Sequence, residues 1–190
     1  ERNRGLFLRL LPDASRVKVT GDTRFDAIFH KLETSQLPRP DEERLQPGGP
    51  LLILASTYDA CDRALLPSAV ALLAKHSTWR MWIFPHHISE ARLSELEANC
   101  LAAGIAPQRY STPGSEDSAV LIVDRLGLLA HAYRQCAFAY VGGGFHHRIH
   151  NTGEPAALGK PVITGPAIDS SPVALDLEAA GALRRARSPQ

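Results

Sequence analysis

The densest gathering of chemically capable side chains is YVGGGFHHRIHNTGEPAALGKPVITGP, residues 140–166. An apolar run leads into Gly142, Gly143 and Gly144; His146, His147, His150, Asn151 and Glu154 follow before a second apolar run. Without a Cβ, the three glycines let the backbone turn tightly and bring its N–H groups against an anion, yet glycine also ends strands for packing reasons, and both readings stand. The run is not GxGxxG and belongs to the fifth apolar run rather than the first, which argues against a dinucleotide fingerprint. Glu154 precedes a short Ala-rich helix: it either complements the helix dipole or accepts hydrogen bonds from sugar hydroxyls. Asn151 is either a helix cap or a ligand contact. The histidine spacing could put two imidazoles on one helical face, but HExxH is missing and Arg148 interrupts, so an anionic ligand or plain exposure outranks a metal.

These residues need a frame. Short, nearly uncharged runs recur at 17–21 (VKVTG), 51–57 (LLILAST), 81–84 (MWIF), 119–124 (AVLIVD), 137–143 (AFAYVGG) and 161–165 (PVITG), as strands buried on both faces of a parallel sheet would. Amphipathic stretches alternate with them. Residues 61–75 carry Leu65, Leu66, Ala69, Leu72 and Leu73 at helical spacing, with Pro67 marking the start of regular helix. Residues 89–103 form a second helix, capped by Ser89, lined by Leu93, Leu96 and Leu101 and ended by Gly104. Residues 126–135, 153–159 and 173–180 complete the set. The β-α-β order predicts a doubly wound, Rossmann-like α/β domain.

In such a sheet ligands bind beyond the carboxyl ends of the strands. The residues there are Ser56, Thr57 and Tyr58 after the second run, Pro85, His86 and His87 after the third, Asp124 after the fourth and the glycines after the fifth. Asp124, next to Arg125, is either an acid–base group or, more ordinarily for a strand end, a turn or cap.

Composition sets the outer bounds. The 190 residues carry 44% hydrophobic and 22% charged residues and a net charge of +1, which suits a soluble globular chain and offers no electrostatic case for nucleic acid. Arg184, Arg185 and Arg187 read as a solvated tail. Cys61, Cys100 and Cys136 are odd in number and widely spaced, which disfavours both a disulfide framework and a zinc knuckle and fits a reducing compartment. No apolar run approaches the ~20 residues of a membrane span, and the first residues lack a signal-peptide pattern. The chain starts at Glu1 rather than Met, as a fragment would. The Pro- and Gly-rich segment 35–50 reads as a linker, residues 1–34 as the end of a preceding unit with its connection, and 51–190 as the Rossmann-like domain.

Residues 140–166 resemble the C-terminal signature of the bacterial 3-deoxy-D-manno-octulosonic acid (Kdo) transferases: a strand, a Gly-rich turn, a His-Asn pair, then Glu-Pro-Ala-Ala-Leu-Gly-Lys-Pro-Val-Ile and Gly-Pro. Earlier segments are similar in order: VTGDTRFD (19–26) to the motif closing the family's N-terminal domain, LASTYDACD (54–62) to its Ala-Ser-Thr loop, FPHHISEARL (84–93) to its Pro-His segment, and DRLGLLAHAYRQCAFAYVGGG (124–144) to the helix and strand before the signature. The match runs over roughly Val17 to Pro166. The resemblance implies the C-terminal, donor-binding half of a GT-B fold, with Ser56, Thr57, Pro85, His86, Gly142, Gly143, Gly144, Asn151 and Glu154 lining a CMP-Kdo pocket. It implies an inverting transfer of Kdo to lipid A precursor, with no cofactor and no metal, at the cytoplasmic face of the bacterial inner membrane. Acceptor, membrane contact and the catalytic base all fall to the N-terminal domain, so no residue here is assigned as base.

The chain departs from the family in two places. Where many members have Arg-His-Pro-Glu-Arg, it has Pro85-His86-His87-Ile88-Ser89, and it stops before the closing helices expected of the domain. Taken alone it would bind donor and not transfer. The alternatives are another GT-B transferase using a UDP- or GDP-sugar, and a non-catalytic nucleotide-binding domain.

Overall fold

The computed structural model describes residues 2–186 except 12, 35–40, 42–43 and 147, so part of the expected linker, His147 and Arg187 lie outside the described residues. Seven strands form one parallel sheet in the order β3-β4-β2-β1-β5-β6-β7: β1 Leu51–Thr57, β2 Arg80–Pro85, β3 Gln108–Arg109, β4 Val120–Ile122, β5 Cys136–Val141, β6 Val162–Thr164 and β7 Leu183–Arg185. The helices are α1 Arg2–Phe7, α2 Thr23–Thr34, α3 Asp59–Lys75, α4 Glu90–Ala102, α5 Leu129–Gln135, α6 Gly153–Ala157 and α7 Pro172–Ala179.

Alternation along β1 divides the core. Leu51, Ile53 and Ala55 join Trp82, Phe84, Tyr133 and Ala139 on one face, the side of α5, while Leu52 and Leu54 join Leu66, Ile83 and Leu96 on the other, under α3 and α4. With both faces covered, the central strands are apolar nearly throughout, as the sequence pattern required. The doubly wound α/β, Rossmann-like expectation holds.

Several local expectations do not. Residues 17–21 form no strand, and Val19 is 51% exposed; Lys18 and Thr20 interrupt the run, and no strand among the described residues pairs with it. The described part of 1–34 contains a helix that the periodicity did not announce, α2, whose Ile28 and Phe25 side chains lie against Gly153. Helix α3 begins at Asp59 and carries Pro67 inside it: one N–H bond is forgone, and the burial of Leu66, Ala69 and Leu73 holds the helix together across it. In α4 Cys100, not Leu101, faces the core; Leu101 is 61% exposed. Ser89 does cap that helix, its Oγ accepting from the Arg92 N–H.

The supposed basic tail is partly edge strand. Leu183 is buried, and Arg185 donates to both Glu178 carboxylate oxygens, at 2.8 and 2.7 Å, and to the Pro166 carbonyl at 3.1 Å. Two-residue β3 was too short to read. All three cysteines are free and buried, and burial pushes the Cys100 thiol up to about 12.

The strand order decides where a ligand can go. From β1 the chain works outward through β2 to β3 and β4, then returns to place β5 on the other side of β1. That reversal opens a crevice between the carboxyl ends of β1 and β5.

Candidate functional site

The crevice is built from backbone. At the end of β1 the register slips between Ala55 and Thr57, and Ser56 adopts φ 51°, a left-handed conformation that non-glycine residues rarely hold. Across from it the Gly142 N–H donates to the Ala55 carbonyl at 2.8 Å, and a Cβ on Gly142 would stand 2.0 Å from the Ser56 oxygen. A Cβ on Gly143 would meet the Arg148 carbonyl at 2.1 Å, and one on Gly144 would meet Gly165 N at 2.8 Å. Each glycine therefore admits a different neighbouring loop. Of the two readings of the glycine run, close packing is visible at all three positions, and the Gly142 N–H is already engaged.

This packing fixes the segment that follows. The His146 N–H bonds to the Gly143 carbonyl and the His150 N–H to the Gly142 carbonyl, each at 3.0 Å. From β2, Pro85 sits opposite Thr57, and the His86 N–H donates to the Thr57 carbonyl at 3.0 Å. Ser56, Thr57, Pro85, His86 and the glycines thus come to one edge, as the strand-end rule anticipated.

Around Tyr58 the structure gathers four histidines. Ring centroids of His86, His150, His146 and His87 lie 4.8, 5.6, 5.7 and 6.2 Å from the Tyr58 ring. His86 is 4.3 Å from His150, and the Tyr58 hydroxyl meets His150 Nε2 at 3.0 Å. Burial, then the neighbouring imidazoles, holds His86 and His150 below the usual histidine range. No group of three or more His, Cys, Asp or Glu among the described residues is placed to hold a metal ion.

Beside this cluster opens a cavity of about 390 Å³ lined by Arg24, Arg148, His150, Asn151, Thr152 and Ser171, among others, and by no carboxylate. Arg24 is tied to Asp22; Arg148 has no ion-pair partner among the described residues. Thr152 is buried and its Oγ1 has no hydrogen-bond partner among the described residues. The N-terminus of α7 contributes Ser171, whose Oγ caps that helix through the Ala174 N–H at 3.2 Å. A basic, hydroxyl-bearing cavity of this kind is suited to an anionic, polyhydroxylated ligand.

Asn151 and Glu154 resolve differently. Asn151 Oδ1 accepts from the Gly153 N–H at 3.0 Å, so its side chain braces the start of α6 while the residue also lines the cavity. Glu154 is half-buried and outside that lining; it lies near fully buried Tyr133, whose phenol is raised well above its usual value by burial and then by the Glu154 charge. Asp124 takes the turn role, accepting from the Ser111 N–H and hydroxyl at 3.0 and 2.5 Å.

Under the crevice lies a pair that sequence reasoning missed. Arg92 of α4 reaches fully buried Asp62 of α3 at 2.5 Å, and burial, opposed by Arg92, pushes the Asp62 carboxyl up to about 6. The second Asp62 oxygen, Thr57 Oγ1 and the Tyr140 hydroxyl are buried without a partner that meets hydrogen-bond geometry. Thr152 and Ser171 were also missed. Their types are ordinary at helix starts, and only the fold turns them toward one cavity.

The chain is similar to known proteins in sequence and in fold. Over 175 residues, 90% of this chain, it is 31% identical to the 3-deoxy-D-manno-octulosonic acid transferase of Chlamydophila psittaci, of which it spans 39%. Over 157 residues it is 30% identical to the enzyme of the same name from Haemophilus influenzae. The chain is a sequence relative of the Kdo transferases. It spans about two fifths of the length of the first of these relatives, and no protein-family model matches it. Among solved structures, the C-terminal CMP-Kdo binding domain of WaaA from Acinetobacter baumannii superimposes with a TM-score of 0.67 at 20% identity, over 85% of this chain and 83% of that one. The UDP-GlcNAc 2-epimerase of Neisseria meningitidis gives 0.62 at 16% identity over 97% of this chain and 47% of that one. These matches support the Rossmann-like α/β fold, and the Kdo transferase relationship rests on sequence.

Proposed function

We propose that this chain is the donor-binding part of a glycosyltransferase that moves Kdo from CMP-Kdo onto a lipid A precursor. The observation that carries the reading is the sequence relationship to Kdo transferases, over 90% of the chain for the Chlamydophila psittaci enzyme. The carboxylate-free cavity beside the switch point supports it, because CMP-Kdo brings a phosphate and a carboxylate. Ser56, Thr57, Pro85, His86, Gly142, Gly143, Gly144, Asn151 and Glu154 form the donor side of the cleft, with Arg148 and Thr152 added from the cavity lining. Residues 1–34 are read as the end of a preceding acceptor-binding domain whose α2 packs onto this one and lends Arg24 to the cavity, 35–50 as the connection, with Leu45 buried in this domain's core, and 51–190 as the main donor-binding part.

In this reading an acceptor hydroxyl, deprotonated by a base on the preceding domain, attacks the anomeric carbon as the bond to CMP breaks, with inversion and without a metal. Negative charge grows on the departing phosphate. Arg148, His150 and backbone N–H groups near the crevice neutralise it, preorganised by the glycine packing. Acceptor binding and attachment at the cytoplasmic face of the inner membrane belong to the preceding domain; no helix among the described residues is long and apolar enough to cross a membrane.

Calorimetric titration of the chain with CMP, UMP and GMP tests the assignment. CMP is expected to bind most tightly, and Glu154→Ala to weaken it. Preference for UMP or GMP would transfer the chain to another class of GT-B enzyme.

A further inference from the structure

Four imidazoles around one phenol are more than strand-end packing needs. The charged groups facing them largely cancel in pairs. From α3, Asp59 and Arg63 face His87 and His146 and bind each other; from α4, Arg92 is held by Asp62 and, at 3.2 Å, by Glu95. On the other side of the cluster, His150 shares its cavity with Arg24, which is paired to Asp22, and with Arg148. Asp62 and Glu95 share Arg92, so acidic charge remains on the side of His87 and His146; on the side of His150 Asp22 is paired with Arg24, and Arg148 adds positive charge.

The geometry points to a proton-linked anion seat: when a phosphate-type group enters the cleft, His86 or His150 takes up a proton from solvent. This rests on the switch-point crevice being the ligand site. Without an anion, burial and mutual repulsion keep these two rings neutral; an anion within ~4–6 Å reverses the balance. The Tyr58 hydroxyl suits either state, since it can donate to neutral Nε2 or accept from Nε2–H once the ring is charged, so the 3.0 Å contact survives protonation. The ligand class is an anion whose binding strengthens as pH falls toward 6.

The test follows histidine Cε1–H resonances from pH 5 to 8 in the free chain, with sodium sulfate, which does not titrate in that range, and with CMP. Sulfate or CMP is expected to raise the midpoint of at least one of His86 and His150 by about one unit. Calorimetry at pH 7 in two buffers of different ionisation enthalpy is expected to show proton uptake with CMP and none with cytidine. Tyr58→Phe, which keeps the ring and removes the acceptor, should lower the His150 midpoint. Midpoints unmoved by both anions would overturn the seat. CMP binding without proton uptake would overturn it while leaving the donor assignment intact; sulfate-raised midpoints in a chain indifferent to CMP would keep the seat and sink the donor assignment.

Discussion

Gly142 and Ser56 approach so closely that a methyl group on the glycine would stand 2.0 Å from the serine carbonyl oxygen. The Gly142 N–H is at the same time bonded to Ala55, so the strand end cannot retreat without losing a ladder bond. Gly142→Ala is expected to destabilise the chain by at least ~2 kcal/mol in urea unfolding. Gly114→Ala, at positive φ but with open space around it, should cost only about 1 kcal/mol.

Ser56 carries the complementary strain. At φ 51° a glycine would sit without the penalty of a Cβ, offset by its greater freedom when unfolded, so Ser56→Gly should change stability by less than ~1 kcal/mol. Ser56→Val places a β-branched residue in the left-handed region and is expected to cost ~2 kcal/mol or more. Thermal unfolding of the two variants side by side separates backbone strain from any role of the hydroxyl.

Asp62 gives a signed pH dependence. Its folded carboxyl is raised by burial from 3.8 to about 6, so between those values the folded chain keeps a proton that the unfolded chain has lost. Stability from this group is therefore present below about pH 4 and falls as pH rises to about 6. Depressed His86 and His150 act oppositely, gaining stability as pH rises toward 6.5, so the total curve mixes both. Comparing Asp62→Asn with the parent isolates the carboxyl. From pH 4 to pH 7 the difference should move in the variant's favour by up to roughly 3 kcal/mol.

Arg148 and Thr152 are expected to matter for ligand rather than for fold. Arg148 is exposed and forms no ion pair among the described residues, so Arg148→Ala should leave the unfolding midpoint unchanged and weaken CMP roughly tenfold or more. Thr152→Val removes a buried hydroxyl without a partner, which should raise stability slightly while lowering CMP affinity. Differential scanning calorimetry with and without CMP reads both quantities from each variant.

The central frame was legible because apolarity alone specifies a strand buried on two faces: β1, β2 and β5 carry almost no charge. Ser89 likewise declared its helix. What failed was where tertiary packing overrules local signals. Pro67 sits within α3, Arg185 becomes part of an edge strand once Glu178 is within reach, and residues 17–21 look like a strand but have no partner. At the crevice, the strand-end rule anticipated that Ser56, Thr57, His86 and the glycines would lie together at one edge. Thr152, Ser171 and the Asp62–Arg92 pair depended on distances between elements far apart in the chain, and no local spacing announces those.

The glycine run ties one segment to three others at once: Gly142 to the end of β1, Gly143 to the backbone at Arg148 and Gly144 to Gly165. A loop moored on three sides cannot act as a flap. Any closing over a ligand must then come from elsewhere than residues 142–146, which are expected to stay as still as the sheet. Their amides should accordingly exchange with solvent as slowly as those of β1, with or without nucleotide, and the floor of the cleft would be finished before anything arrives to fill it.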